Sequence, residues 1–183
     1  MKWKRILAMI LAVASCLSLA VSASAANTVN RKATDFRDFD KSAWYAEAVS
    51  AAVDNGLLYG KSATIIDPNG DMTRAEMAAI INRSFGCYVK ADISKYKDVS
   101  KDKWYFEDVA MAVQMGTYNG RSNTAMAPDA PITRQEAMTV VARALELDYD
   151  SYSKTDLSAF SDRSEISNWA MPYVRAMVGA DYI

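Results

Sequence analysis

"MTRAEM" at 72–77 returns in altered form as "ITRQEA" at 132–137. Thr73 with Glu76, and Thr133 with Glu136, have the spacing of a capping box: the Thr hydroxyl accepts from the backbone N–H three residues on, and the Glu reaches back to the cap residue's own N–H. The apolar residues that follow recur at helical spacing, so each motif predicts a helix start, and each cap contributes about 1 kcal/mol. Arg74 and Arg134 do not fit this scheme. A helix N-terminus already carries about half a positive charge, so an exposed cation in the first turn gains nothing from it. Two readings stay open for the arginines. Each salt-bridges an aspartate from a repeat start, such as Asp38 or Asp98, or each awaits an external carboxylate or phosphate, which a guanidinium and helix-end N–H groups hold well.

The recurrence extends far beyond six residues. Residues 36–86 align with 96–146 at a constant offset of 60 and without a gap, about a third of the positions being identical. "FRDFDKSAWYAEAVSAAVDNGLLYGKS" pairs with "YKDVSKDKWYFEDVAMAVQMGTYNGRS". A third copy begins at "FSDRSEISNWAMPYVRAMVGADYI", in which Asp162 and Trp169 correspond to Asp38 and Asp98, and to Trp44 and Trp104. One extra residue separates the two landmarks in that copy.

Each full copy reads as helix, loop, helix. The first helix starts near Trp44 or Trp104, with apolar Tyr45, Val49, Ala52 and Val53 in one copy and Tyr105, Val109, Ala112 and Val113 in the other. Gly56 and Gly116 stand where a helix stops. The second helix carries Met77, Ile80, Ile81 and Phe85, or Ala137, Val140, Val141 and Leu145. A two-helix unit of this size buries little surface alone, so neighbouring units should pack on one another. The expected fold is all-α, with an export segment at 1–25, a linker at 26–35, full repeats at 36–88 and 96–148, and a partial third at 160–183.

Composition narrows the chemistry. The chain has no histidine, which removes the commonest general base and metal ligand. With a net charge of −1 and no basic run, it lacks a nucleic-acid footprint. The N-terminus has Lys2, Lys4 and Arg5, an apolar stretch from Ile6 to about Val21, and Ala23-Ser24-Ala25, the layout of a secretory signal. "VASC" at 13–16 offers a competing lipidation site at Cys16, but the sequence after it stays apolar, which favours ordinary cleavage. Cleavage after Ala25 removes three cations and no acid, leaving 18 Lys and Arg against 22 Asp and Glu. Cys87 is then the sole cysteine, so no internal disulfide is expected.

Other repeated residues each carry two readings. Lys61 and Arg121 sit between a Gly and a Ser, as solvated turns or as further cations for a ligand. Trp44, Trp104 and Trp169 serve as core or as flat stacking surfaces for a sugar ring. Asp38, Asp98 and Asp162 serve as caps, as partners of the arginines, or as acceptors from sugar hydroxyls. "DPNGDMTRAE" at 67–76 is not a calcium loop, because its Gly is fourth and its Glu tenth where the EF-hand needs sixth and twelfth.

The ordered set of aromatic-x-Asp, Trp-opened helix, Gly-rich turn and Ile/Met-Thr-Arg-x-Glu resembles the S-layer homology domain over nearly all of 36–183. The resemblance implies a pseudo-threefold helical module with ligand grooves between neighbouring repeats. It implies non-covalent, non-catalytic anchoring of an exported protein to the secondary polysaccharide of the cell wall, often through a pyruvylated sugar, with no metal and no cofactor. Carried over by position, Asp38 and Asp98, Trp44 and Trp104, and Arg74 and Arg134 would line the grooves, with Lys61 and Arg121 as weaker additions. Asp162 and Trp169 would contribute to a third groove. The third copy departs from the pattern, since it stops at "GADYI" without a loop, a second helix or a Thr-Arg-x-Glu, and Asp181 replaces the helix-stop glycine. A truncated frame, a two-repeat module and completion by a partner chain are all open. The last of these makes protein–protein assembly the alternative function.

Overall fold

The computed structural model describes residues 31–183. The export segment at 1–25, its cleavage site, the Cys16 alternative and residues 26–30 of the linker lie outside the described residues. Among those described there are five α-helices and two short 3-10 turns, with no strand beyond one isolated β-bridge. The all-α class read from the repeats is therefore the observed one. None of these helices is long and apolar enough to cross a membrane.

The helices are α1 (Ala46–Asp54), α2 (Arg74–Phe85), α3 (Phe106–Gln114), α4 (Arg134–Ala144) and α5 (Met171–Gly179). Helices α1, α3 and α5 have nine residues each, and each begins two residues after its tryptophan. They end alike. Gly56 and Gly116 adopt positive φ (67° and 77°), and their N–H groups bond back to Val53 and Val113. The next residues bond to the carbonyl one residue earlier, Leu57 to Ala52 and Thr117 to Ala112, which completes a Schellman stop. Asp181 takes the same left-handed conformation after α5 (φ 61°), with the same pair of bonds from Asp181 to Val178 and from Tyr182 to Met177.

Among the described residues the chain divides into two compact units, one running to Gly70 and the other spanning Asp71–Ile183. The boundary falls inside the first sequence repeat, between its loop and its second helix. In the first unit, Phe36, Tyr45, Val49, Val53 and Ile66 form a small core on which Phe39, Ala43 and Leu58 pack. In the second unit, α2 packs on α3 and on α4, and α4 packs on α5. Both α2 and α4 are buried nearly all round: Ala75, Met77, Ala78, Ile80 and Ile81 in α2, and Ala137, Met138, Val140, Val141 and Ala142 in α4. Asn82 pins α2 to α3 by donating from its amide to the Asp108 carbonyl at 2.8 Å. The apolar face of α5 finds its cover on α4, burying Val174, Ala176 and Met177.

The tryptophans contribute little to these cores. Trp44, Trp104 and Trp169 are 41%, 59% and 51% exposed, while the residue after each of them (Tyr45, Tyr105, Ala170) is buried. Each Trp-Tyr pair meets edge to face, at 5.6 Å for Trp44–Tyr45 and 5.4 Å for Trp104–Tyr105. The tyrosine is the core aromatic and the tryptophan is the surface one.

Candidate functional site

Both Thr-Arg-x-Glu motifs form the capping box. Thr73 Oγ1 accepts from the Glu76 N–H and Glu76 accepts from the Thr73 N–H, and Thr133 and Glu136 do the same. The cap leaves the N–H groups of the two intervening residues without an intrahelical acceptor. What becomes of those groups, and of the arginine beside them, differs between α2 and α4.

At α2 everything is matched from within the second unit. The Arg74 N–H donates to the Ala130 carbonyl at 3.0 Å and the Ala75 N–H to the Pro128 carbonyl at 2.9 Å. The Ile132 N–H returns a bond to Met72, so the two segments before the helices pair as a short antiparallel bridge. The Arg74 guanidinium is buried, only 5% exposed. Its Nε donates to the Met126 carbonyl at 3.0 Å, one terminal nitrogen meets Glu136 at 3.0 Å, and the group lies over the Tyr118 ring at 5.0 Å. This corrects the expectation of an exposed first-turn cation: the anion that answers Arg74 is Glu136, the capping glutamate of the other motif, and neither Asp38 nor Asp98. Burial draws the Arg74 guanidinium below its usual value, opposed by Tyr118 and Glu136. Burial works to raise the Glu136 carboxyl, but Arg121, the Thr133 cap and Arg74 outweigh it and hold it below the usual glutamate value.

Arg121 completes this group. Its Nε and a terminal nitrogen bond both Glu136 oxygens, at 3.1 and 3.2 Å, with its side chain partly exposed. The Lys61 and Arg121 loops share one turn, the N–H of each donating to the carbonyl four residues on, Ile65 or Ala125.

The aspartates face inward. Asp38 accepts from the N–H groups of Ile66 and Asp67, and Asp98 from those of Met126 and Ala127, at 2.7–3.2 Å. Each clamp holds a non-glycine residue at positive φ, Asp67 at 57° and Ala127 at 54°. Burial raises both carboxyls and the backbone donors lower them, with a net shift below the usual aspartate value. Asp98 also fixes the loop whose Met126 carbonyl receives Arg74, so it supports the buried arginine at one remove.

At α4 the donors are not matched. No backbone carbonyl among the described residues accepts from the N–H of Arg134 or Gln135. Arg134 Nε is buried and has no hydrogen-bond partner. It makes one long ion-pair contact, 3.4 Å to Asp162. A cavity of 210 Å³ opens here, lined by Thr133, Arg134, Gln135 and Met138 of α4, by Phe160, Asp162, Glu165 and Ile166, and by Val174, Val178 and Ile183. Of the residues expected to line a groove, the structure brings Arg134 and Asp162 together at this cavity. Trp169 stands at the surface two residues before α5. Sequence reading missed Gln135, which takes the variable position of its motif where the other copy has Ala75, and it missed Phe160, Glu165 and Ile166, because nothing in the sequence says that this turn packs at the start of α4. Among the described residues no cluster of three or more His, Cys, Asp or Glu could hold a metal ion.

Comparison with known proteins places this architecture. The S-layer homology domain model matches residues 35–78 and 95–138, the two full copies through the first turns of their second helices. A surface-layer 125 kDa protein of Lysinibacillus sphaericus is 35% identical over 80% of this chain, which spans 12% of that protein. An endoglucanase of Bacillus sp. (strain KSM-635) is 27% identical over 94% of the chain and 18% of its own length. An S-layer protein of Bacillus thuringiensis subsp. finitimus is 22% identical over 91% and 20%. The chain therefore spans between an eighth and a fifth of these relatives, which include an enzyme as well as surface-layer proteins. Through the repeats at 35–78 and 95–138, this chain belongs to the S-layer homology domain family.

Proposed function

We propose that this chain is a cell-surface anchoring module, which holds an exported protein to the cell wall by binding an acidic secondary polysaccharide without catalysis. One observation carries the proposal: Arg134 and the first turn of α4 present unmatched donors at a 210 Å³ cavity, where the equivalent donors of α2 are all taken. The α2 site indicates what such a set of donors accepts, namely one carboxylate and several neutral oxygens. A sugar bearing a carboxylate, such as a pyruvylated one, offers both. The apolar cavity wall of Phe160, Ile166 and Val178 suits a ring face, and the exposed Trp44, Trp104 and Trp169 each offer a stacking surface of the kind a sugar ring takes. Family membership and the surface-layer relatives support the same place of action.

The test is co-sedimentation of the exported protein with purified cell-wall sacculi, before and after chemical removal of their secondary polysaccharide. Pelleting only with the intact walls is expected, as is its loss in Arg134→Ala with an unchanged circular dichroism spectrum. Equal pelleting with stripped walls, or an unaffected Arg134→Ala, would remove the proposal.

A further inference from the structure

We propose that Gln135, the variable position of the second Thr-Arg-x-Glu motif, positions one wall of the Arg134 cavity through a two-bond latch to Ser167. The inference rests on the wall-anchor reading and adds to it the residue that sets the shape of the site. The Gln135 carbonyl oxygen accepts from the Ser167 N–H at 2.8 Å, and its amide nitrogen donates to Ser167 Oγ at 3.2 Å. The orientation of the amide follows from the first bond, because a backbone N–H requires the oxygen.

Ser167 is the joint between two parts of the site. On its N-terminal side runs the turn 160–166, closed on itself by Arg163 N–H to Phe160 and Glu165 N–H to Asp162. That turn supplies Phe160, Asp162, Glu165 and Ile166 to the cavity. On its C-terminal side, the Ser167 carbonyl accepts from Ala170 and Met171 and so starts α5, which supplies Val174 and Val178. A latch at Ser167 therefore sets the distance from the α4 N-terminus to both walls. It also places Asp162 opposite Arg134.

The aligned position in the other motif explains why a glutamine stands here. Ala75 is buried beneath the loop 126–131, whose backbone carbonyls reach the helix start directly. At α4 no backbone carbonyl among the described residues bonds the helix start, and the link to the neighbouring segment is made instead by a side chain that carries both a donor and an acceptor. Gln135 acts through Ser167, and the proposal assigns it no contact with the ligand.

Four variants of the full chain, Gln135→Ala, Ser167→Ala, their double mutant and Arg134→Ala, are compared for affinity to sacculi that retain their secondary polysaccharide. Measurement at 10 °C, well below unfolding and with folding verified by circular dichroism, separates positioning from stability. A merely structural latch would lower Tm and leave this affinity alone. The expected result is about five- to tenfold weaker binding in each latch variant, the scale of one or two neutral hydrogen bonds, with the double mutant no weaker than the worse single. Unchanged affinity in Gln135→Ala beside a loss in Arg134→Ala overturns the latch and leaves the anchor reading standing. A loss in Gln135→Ala with full binding in Ser167→Ala also overturns it, by showing that the amide acts directly. Unchanged affinity in Arg134→Ala defeats the anchor reading itself, and the latch with it.

Discussion

Arg74 and Arg134 occupy the same position in the same motif, behind the same capping box, and they end in opposite environments. Arg74 is buried against Met126, Glu136 and Tyr118, with the neighbouring N–H groups closed by two carbonyls. Arg134 keeps an unpartnered Nε and one 3.4 Å contact, beside a cavity. Identical local chemistry therefore makes a structural clasp at one helix start and a candidate ligand site at the other. The deciding factor is whether a loop lies over the helix end. A motif match alone does not tell which arginine is available.

The largest effect expected from breaking this comparison is on stability at Arg74. Arg74→Ala strands the Met126 carbonyl and leaves Glu136 with Arg121 as the one remaining cation of its group, and removal of one partner of a buried pair costs about 3 kcal/mol. Chemical denaturation should show the loss, while the folded fraction keeps its affinity for walls. If Arg74→Ala were fully stable and defective only in binding, the two sites would be alike after all. Next, Arg134→Ala should weaken wall binding at least about tenfold, as expected for a charge-assisted contact, with little change in the denaturation midpoint. The contrast between the two variants, measured on one preparation, is sharper than either result alone.

The aspartate clamps give a smaller effect with a defined pH window. Asp98→Asn should cost about 1–2 kcal/mol, since a neutral amide oxygen replaces a carboxylate at two backbone donors. Asp38, Asp98 and Glu136 all have folded-state values below their unfolded ones. Their contribution is therefore complete above the ordinary carboxylate range of about 4 and is lost as pH falls through the depressed values. Thermal melts between pH 7 and pH 2.5 should show this acid loss, and Asp98→Asn should flatten it. A profile identical to that of the unsubstituted chain would deny Asp98 its role in holding the Met126 loop.

The smallest effect concerns α5. Asp181 sits at φ 61°, the conformation that Gly56 and Gly116 hold at the ends of α1 and α3. Asp181→Gly should stabilise the second unit by about 0.5–1 kcal/mol, because glycine enters the left-handed region without the side-chain penalty. A higher Tm with unchanged wall binding is the expected outcome. A lower Tm would mean that the aspartate side chain makes a contribution of its own at the helix end.

The fold was largely legible because its signals are local. Offset alignment, helical spacing and the Thr-x-x-Glu caps located all five helices to within about two residues. The helix stops at Gly56 and Gly116 were legible too, since a Schellman ending depends on a few neighbouring residues, whereas Asp181 read as a departure and keeps the same left-handed stop in the structure. The aromatic pairs were harder. Trp44 and Tyr45 are adjacent, apolar and equally plausible as core, and only the rotation of the chain entering α1 turns the tyrosine inward and the tryptophan out.

Sequence alone determined the repeat, the all-α class, the capped helix starts and the presence of arginines that such starts do not favour. Each of these is written in residues close together in the chain. Only the tertiary structure decided that Glu136 answers Arg74 across the second unit, that the aspartates clamp loops 28 and 29 residues away, and that Gln135 reaches Ser167. Those pairings depend on which segments pack together, and charge or hydrogen-bonding capacity at one position does not say which of several candidate partners will arrive within 3 Å. The boundary between the two units follows the same rule. It cuts the first repeat at Gly70 because α2 buries its surface against α3 and α4, and burial ignores the period of the sequence.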